Sequence, residues 1–321
     1  MPNPFQPLYD EQNRGMSVGK YARLPDFPRI IDIEATSACN FGCLMCPTGN
    51  LSLKRRADFL HPNLFSTIVD QCAPHKTGLR FIGWGEPLLH GQLENFIEKA
   101  SGKGLMTHVN TNGSLMGEET ARALMAAGLS SLKFSFQGVD AKSYREMRRA
   151  EFDDLIETMR MVKTARGRRK LPWLQVSTST TYETAEQIEE FVDLVTPFVD
   201  QVNVGHTTFD FMDMDAVRLK PDEKDMLERL AGLQSGKKEH PKPCPEVYDK
   251  LSVHADGSVR VCCNDFNGVT DLGNVRDTPI KEMWRHKTIE EYRKRLANHE
   301  YTGPLCSVCY DYQALTDGVE A

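Results

Sequence analysis

The sequence predicts an α/β protein: a partial (β/α)6 barrel followed by a small, cysteine-bearing C-terminal domain. Two observations predict it. From about residue 29 to 205, apolar strand-like runs alternate six times with amphipathic helical runs, the pattern of a parallel sheet with helices outside. Beyond residue 206 that alternation stops, and turn signals and clustered cysteines replace it.

Residues 1–28 form a polar, proline-containing N-terminal extension without the apolar core of a secretory signal. The barrel is assigned to residues 29–205, with strands at 30–34, 79–82, 106–109, 131–136, 173–179 and 201–205. The helical runs between them carry apolar residues at helical spacing, as at Phe65, Ile68, Val69 and Cys72. The basic run Arg166 to Lys170 lies between a helix and a strand and is expected to be a solvated turn. Residues 206–321 are assigned to a linker and second domain, with one helical stretch near 222–233 and a hairpin around Ala255, Asp256, Gly257 and Ser258. In a parallel barrel the chemistry belongs at the C-terminal ends of the strands.

The formal net charge of -6 argues against a nucleic-acid or anionic-membrane partner. No apolar stretch is long enough to cross a membrane. A cytoplasmic protein is expected. In that reducing setting the nine cysteines suggest metal or redox chemistry rather than disulfides.

Three of them, Cys39, Cys43 and Cys46, sit on one loop just after the first strand with the spacing C-x3-C-x2-C. Three thiolates hold three irons of a [4Fe–4S] cube and leave the fourth iron open, as a catalytic site requires. A zinc knuckle would need a fourth ligand close by, and no neighbouring Cys or His supplies one. On this loop the chain resembles the radical S-adenosylmethionine superfamily. The resemblance covers residues 30–205 and extends to the C-terminus. It implies that the open iron chelates the methionine end of S-adenosylmethionine, and that an electron from flavodoxin or ferredoxin cleaves it to a 5′-deoxyadenosyl radical. An aromatic residue often precedes the third cysteine of the family; here it is Met45.

Three further segments resemble the family's cofactor pocket. Gly83-Trp84-Gly85-Glu86-Pro87 follows strand two, and glycines there let the backbone approach a ligand closely. Asn110, Thr111, Asn112 and Gly113 follow strand three and resemble the segment that touches the ribose. Ser135-Phe136-Gln137-Gly138 ends strand four and is followed by Tyr144 and by Arg148 beside Arg149. The resemblance implies that Ser135 and Arg148 approach the methionine carboxylate, a group that Arg clamps well. Gln137 replaces the family's commoner acid.

The second cysteine group is Cys244, Cys262, Cys306 and Cys309. By ligand count alone, zinc and [4Fe–4S] both fit four thiolates. The arrangement resembles the twitch domain, the shortened form of the SPASM domain, which implies a second, auxiliary [4Fe–4S] cluster. Cys72 reads as core. Cys263, beside a ligand, reads as a space-filler, a substitute ligand or a hydrogen-atom donor.

The resemblance implies a radical enzyme acting on a small polar substrate such as a sugar, aminocyclitol or aminoglycoside, with oxidation of an alcohol favoured. The alternatives are epimerisation with Cys263 as hydrogen-atom donor, and modification of a peptide. The extension before strand one is too short for a leader-binding domain, which favours the small molecule. Ser177, Ser179, His206 and Asp210 are placed to meet the substrate, and His206 is the base candidate by its ordinary pKa range. Glu34 either reaches the same cavity or pairs with a basic side chain. A non-catalytic scaffold with a decayed pocket is the contrasting class.

Overall fold

In the computed structural model, six strands follow the expected alternation: β1 (Ile30–Ile33), β2 (Gly78–Phe81), β3 (Thr107–Thr111), β4 (Ser131–Ser135), β5 (Trp173–Thr180) and β6 (Gln201–His206). Each pairs in parallel with the next. Two more strands extend the sheet past β1. β7 (Lys250–Val253) runs parallel to β1, and β8 (Val259–Arg260) returns antiparallel as the expected hairpin, with Gly257 at φ +85° in its turn. The order is β6-β5-β4-β3-β2-β1-β7-β8, an open parallel sheet consistent with a partial barrel, with β6 and β8 at its edges. The C-terminal part therefore flanks the barrel within the same sheet. The structure describes residues 2–14, 24–209, 212–233, 244, 246–298, 300–307 and 309.

The helices are α1 (Gln6–Arg14), α2 (Pro62–Cys72), α3 (Leu93–Gly102), α4 (Glu118–Ala126), α5 (Ala141–Arg148), α6 (Phe152–Arg166), α7 (Ala185–Val195), α8 (Pro221–Gly232), α9 (Glu246–Asp249), α10 (Ile280–Met283), α11 (Lys287–Ala297) and α12 (Gly303–Cys306). Their starts are written locally. Asp140 and Ser143 form a capping box on α5, and Thr184 and Gln187 form one on α7. No helix among the described residues is long and apolar enough to cross a membrane.

Along β1 the side chains alternate. Ile31 and Ile33 join the core under the helices, while Asp32 meets Arg80 of β2 on the inner face. The core contains Phe65 stacked on Phe96 at 4.3 Å, and Cys72, fully buried on the apolar face of α2.

Three segments differ from the sequence reading. The N-terminal extension, read as polar, packs on the barrel: Phe5 is wholly buried, with its ring 5.8 Å from His108 of β3 and packed against Gly78 at the start of β2, so it closes the N-terminal end of the sheet. The polar stretch after residue 206 hides a second apolar cluster, in which Phe209, Val217, Leu227 and Leu230 cover Leu44 of the cysteine loop and Met147. Charged residues on the outer face of α8 masked that stripe in the sequence. Within the basic run, Arg166 is buried and binds Asp200 and the Pro172 carbonyl, whereas the rest of the run is exposed. Asp200 lies far along the sequence, so no local pattern announced the pair.

Candidate functional site

The three cysteines after β1 lie on a loop that is pinned from several sides. Thr36 Oγ1 accepts from the Ala38 amide at 3.0 Å and donates to the Asp58 carbonyl at 2.6 Å. The Cys43 carbonyl accepts from the Cys46 amide, and the Cys46 carbonyl from the Asn50 amide at 2.8 Å. Asn50 is fully buried, and its side chain donates to the Leu44 carbonyl at 3.0 Å. A Cβ on Gly49 would lie 2.3 Å from the Cys43 carbonyl oxygen, so only glycine closes this turn.

The loop brings the thiols within one another's electrostatic reach. Burial pushes Cys39 up to about 11, with Cys43, Cys46 and Glu86 adding to the rise. Burial, then Cys43, raises Cys46. The adjacent arginines diverge. Arg148 turns inward, with Nη1 3.5 Å from the Cys43 sulfur and Nη2 donating to the Ser135 carbonyl at 2.7 Å. Arg149 turns outward, in the left-handed region at φ 58°, to Glu223 of α8 at 3.1 Å. The Arg148 Nε is buried without a partner among the described residues.

The strand ends build the walls. A Cβ on Gly85 would lie 2.1 Å from the Thr36 carbonyl oxygen, and one on Gly83 2.9 Å from the Glu34 side chain. The segment after β2 is thus laid directly on the cysteine loop. Gly85→Ala should misplace that segment and cost about 1–3 kcal/mol by overpacking against backbone, read as a lower midpoint in chemical denaturation.

Glu86 is buried and accepts from Thr111 Oγ1 at 2.7 Å, the Asn112 amide at 2.7 Å and the Leu88 amide at 3.0 Å. It ties the end of β2 to the end of β3. Asn112 in turn donates from Nδ2 to Asn40 on the cysteine loop at 3.0 Å. Asn110 lies on the inner face, its Oδ1 on His108 Nε2 at 2.7 Å. Gln137 is buried and donates to the Ser179 carbonyl at 2.9 Å and to Thr207, joining β4 to the ends of β5 and β6. Glu34 resolves to the paired alternative: Arg55 grips it in a bidentate fork at 2.9 Å on both arms. Burial alone would raise its pKa, but the bonds and charge of Arg55 prevail and hold it below the ordinary value.

A cleft of about 330 Å³ gathers several of these groups, among them Met45, Cys46, Trp84, Gln137, Ser179 and His206. Asn264 and Phe266 of the C-terminal part form its far wall. Ser177 pairs with Ser135 in the register below. Asp210 lies outside the described residues. Trp84, between the two glycines, spans the two parts: its Nε1 donates to the Cys263 carbonyl at 2.9 Å and its ring sits 5.1 Å from Phe266. Trp84→Phe keeps the ring and loses the bond. We expect about 1 kcal/mol of lost stability, read by denaturation, with cluster content unchanged.

Cys244, Cys262, Cys306 and Cys309 line one small cavity walled by Tyr292 and Leu305. The Cys262 thiol is pushed up by its hydrogen bond with Cys263 and then by burial. Cys263 does not line that cavity among the described residues. Its sulfur lies 3.9 Å from Glu246 Oε2, on the side of Asp32. Asn264 lines both this cavity and the cleft, and its amide donates to the Cys262 sulfur at 3.3 Å. Both donor sets fit iron–sulfur clusters: all nine cysteines are free thiols, three converge beside an unpartnered arginine nitrogen, and four close a separate cavity.

Sequence reasoning missed Asn50, Arg55 and Trp84 as positioning residues. Trp84 carried a signal, a large aromatic within a glycine turn. Asn50 and Arg55 carried none, because their partners are carbonyls or distant in sequence.

The family model described as the radical SAM superfamily matches residues 33–195, and that of the SPASM iron-sulfur cluster-binding domain matches residues 244–310. An AdoMet-dependent heme synthase of Nitratidesulfovibrio vulgaris is 24% identical, across 91% of this chain and 87% of that protein. Among solved structures, BtrN in complex with AdoMet and 2-DOIA aligns with a TM-score of 0.56 at 17% identity, covering 87% of this chain and 91% of that one. Streptococcus suis SuiB bound to precursor peptide SuiA aligns with a TM-score of 0.66 at 16% identity, covering 91% and 72%.

Proposed function

This chain belongs to the radical S-adenosylmethionine superfamily and carries a SPASM domain, and we propose that it oxidises an alcohol of a small polar substrate bound in the cleft between the two cysteine sites. S-adenosylmethionine, its [4Fe–4S] cluster and the auxiliary iron–sulfur site supply, when bound, a carbon radical to take a hydrogen atom and an acceptor for the substrate's remaining electron.

The chain's own residues do the rest. Cys39, Cys43 and Cys46 hold the first cluster, and Cys244, Cys262, Cys306 and Cys309 the auxiliary one. Arg148, with Ser135, Gly83 and Gly85, orients the methionine end of the cofactor, while Glu86, Asn112 and Gln137 fix the loops around it and Asn110 lies toward the ribose. His206 takes the proton from the substrate hydroxyl at an imidazole nitrogen. Trp84 and Phe266 wall the cleft and exclude water.

The observation that carries this reading is Asn264, which borders both the cleft and the four-cysteine cavity. That adjacency suits an electron leaving the substrate for the auxiliary site. Epimerisation would instead need Cys263 to face the cleft, and its thiol sits against Glu246.

The reading is tested by incubating anaerobically reconstituted protein with dithionite, S-adenosylmethionine and a panel of polyols, aminocyclitols and sugars. A carbonyl product formed in step with 5′-deoxyadenosine supports it. A cross-linked or otherwise modified peptide, from a parallel panel of peptides, would replace it with the peptide reading suggested by the SuiB likeness. Failure to form any 5′-deoxyadenosine would remove it.

A further inference from the structure

Parallel barrels usually fill their interior with apolar layers. Here the inner face of the sheet is polar. Arg80 on β2, Asn110 on β3, Lys133 and Ser135 on β4, and Ser177 and Ser179 on β5 are all only half-buried, while the residues between them that face the helices are buried. The half-buried positions share one face by strand alternation. They line the lumen of the barrel, and Ser179 among them also lines the cleft.

The charges of this lumen do not balance. Asp32 binds Arg80 through two contacts of 2.6 and 2.7 Å, and Glu246 binds Lys250. Both carboxylates are thereby engaged. Lys133 is the third cation, and it has no hydrogen bond or ion pair with any described residue. Its register partners are Asn110 and Gln175, both neutral. The amide oxygen of Asn110 is taken by His108, which leaves its NH2 as a donor next to the ammonium. An enclosed, unpaired ammonium is costly unless something of opposite charge arrives. Burial, then the positive charge of Arg80, pulls the Lys133 pKa down to about 8.

We propose that Lys133 anchors an oxyanion of the substrate, a carboxylate or a phosphate, inside the lumen. This rests on the reading above that the cleft is the substrate site, and it narrows the substrate from a polar molecule to an acid. The anion lies below the reacting carbon and orients it.

The charged and titratable groups acting on Lys133 are Asp32 of β1, Arg80 of β2 and Lys250 of β7, with His108 of β3 beside its register partner Asn110. Burial holds His108 well below its ordinary pKa, so it stays neutral near pH 7 and above. An oxyanion favours the protonated amine. Binding should therefore take up a proton above pH 8 and weaken as pH rises further.

The test uses holoenzyme saturated with S-adenosylmethionine, so that the cofactor's own carboxylate site is filled. Acetate and inorganic phosphate serve as probes, titrated calorimetrically at pH 7 and pH 9. Saturable binding of either, weakened about tenfold or more in Lys133→Met, restored in Lys133→Arg and linked to proton uptake at pH 9, sustains the proposal. Which probe binds tells carboxylate from phosphate. Lys133→Met should also melt at a higher temperature, because it removes an uncompensated ammonium. A lower melting temperature with lost clusters would make Lys133 structural and overturn the proposal. Absence of binding to the wild type, or equal binding by Lys133→Met, would overturn it too. Cofactor cleavage by the same holoenzyme is measured in parallel, so that loss of the enzymatic reading is seen separately.

Discussion

Replacing Cys39, Cys43 and Cys46 together with Ala is expected to abolish 5′-deoxyadenosine formation. Iron should fall from about eight per chain to about four, on the basis of two cubane clusters. The fold should survive, because the loop is held by backbone and by Asn50, Thr36 and the cover of Leu227 and Leu230 rather than by the thiols. Removing the thiols also removes groups whose ionised forms burial and mutual repulsion disfavour at Cys39 and Cys46. Circular dichroism should be unchanged while the cleavage assay falls to background. Continued cleavage by the triple variant would mean that the catalytic cluster is elsewhere.

The second large effect is expected at the other end of the chain. Cys309→Ser should lose the auxiliary cluster and stop product formation, yet leave measurable uncoupled cofactor cleavage. Among the described residues, the four-cysteine cavity is separate from the loop after β1 and shares with the cleft only Asn264. Losing it should therefore disturb the fate of the substrate more than the cleavage of the cofactor. Cys263→Ala should retain the auxiliary cluster, since Cys262 lines the four-cysteine cavity and Cys263, among the described residues, does not. The opposite result, cluster loss in Cys263→Ala and retention in Cys262→Ala, would exchange their roles. Zinc in place of iron, in protein purified without oxygen, would remove the auxiliary cluster from the account.

The barrel strands were legible because each is short, apolar and followed by a helix with its own period, as in Leu79 to Phe81 before Leu93, Phe96 and Ile97. The cysteine spacing made the first site legible, since three thiols within eight residues leave few geometric options. What was hidden depends on contacts between residues far apart in sequence. Arg55 pairs with Glu34 and reaches the Phe266 carbonyl. Trp84 reaches Cys263. Phe5 closes the barrel from a segment with no apolar period of its own. The extension of the sheet by β7 was hidden for a related reason. A strand of only four residues, Lys-Leu-Ser-Val, has too little pattern to declare which strand it will join.

We propose oxidation, with the substrate's electron leaving toward the four-cysteine site. It is tested most directly by turning over the wild-type protein with its substrate in deuterated water and analysing the product by mass spectrometry and NMR. Oxidation predicts a carbonyl product without solvent deuterium on the reacting carbon, and the same product from Cys263→Ala. A product that keeps its alcohol, is inverted at one carbon and carries solvent deuterium there would contradict it.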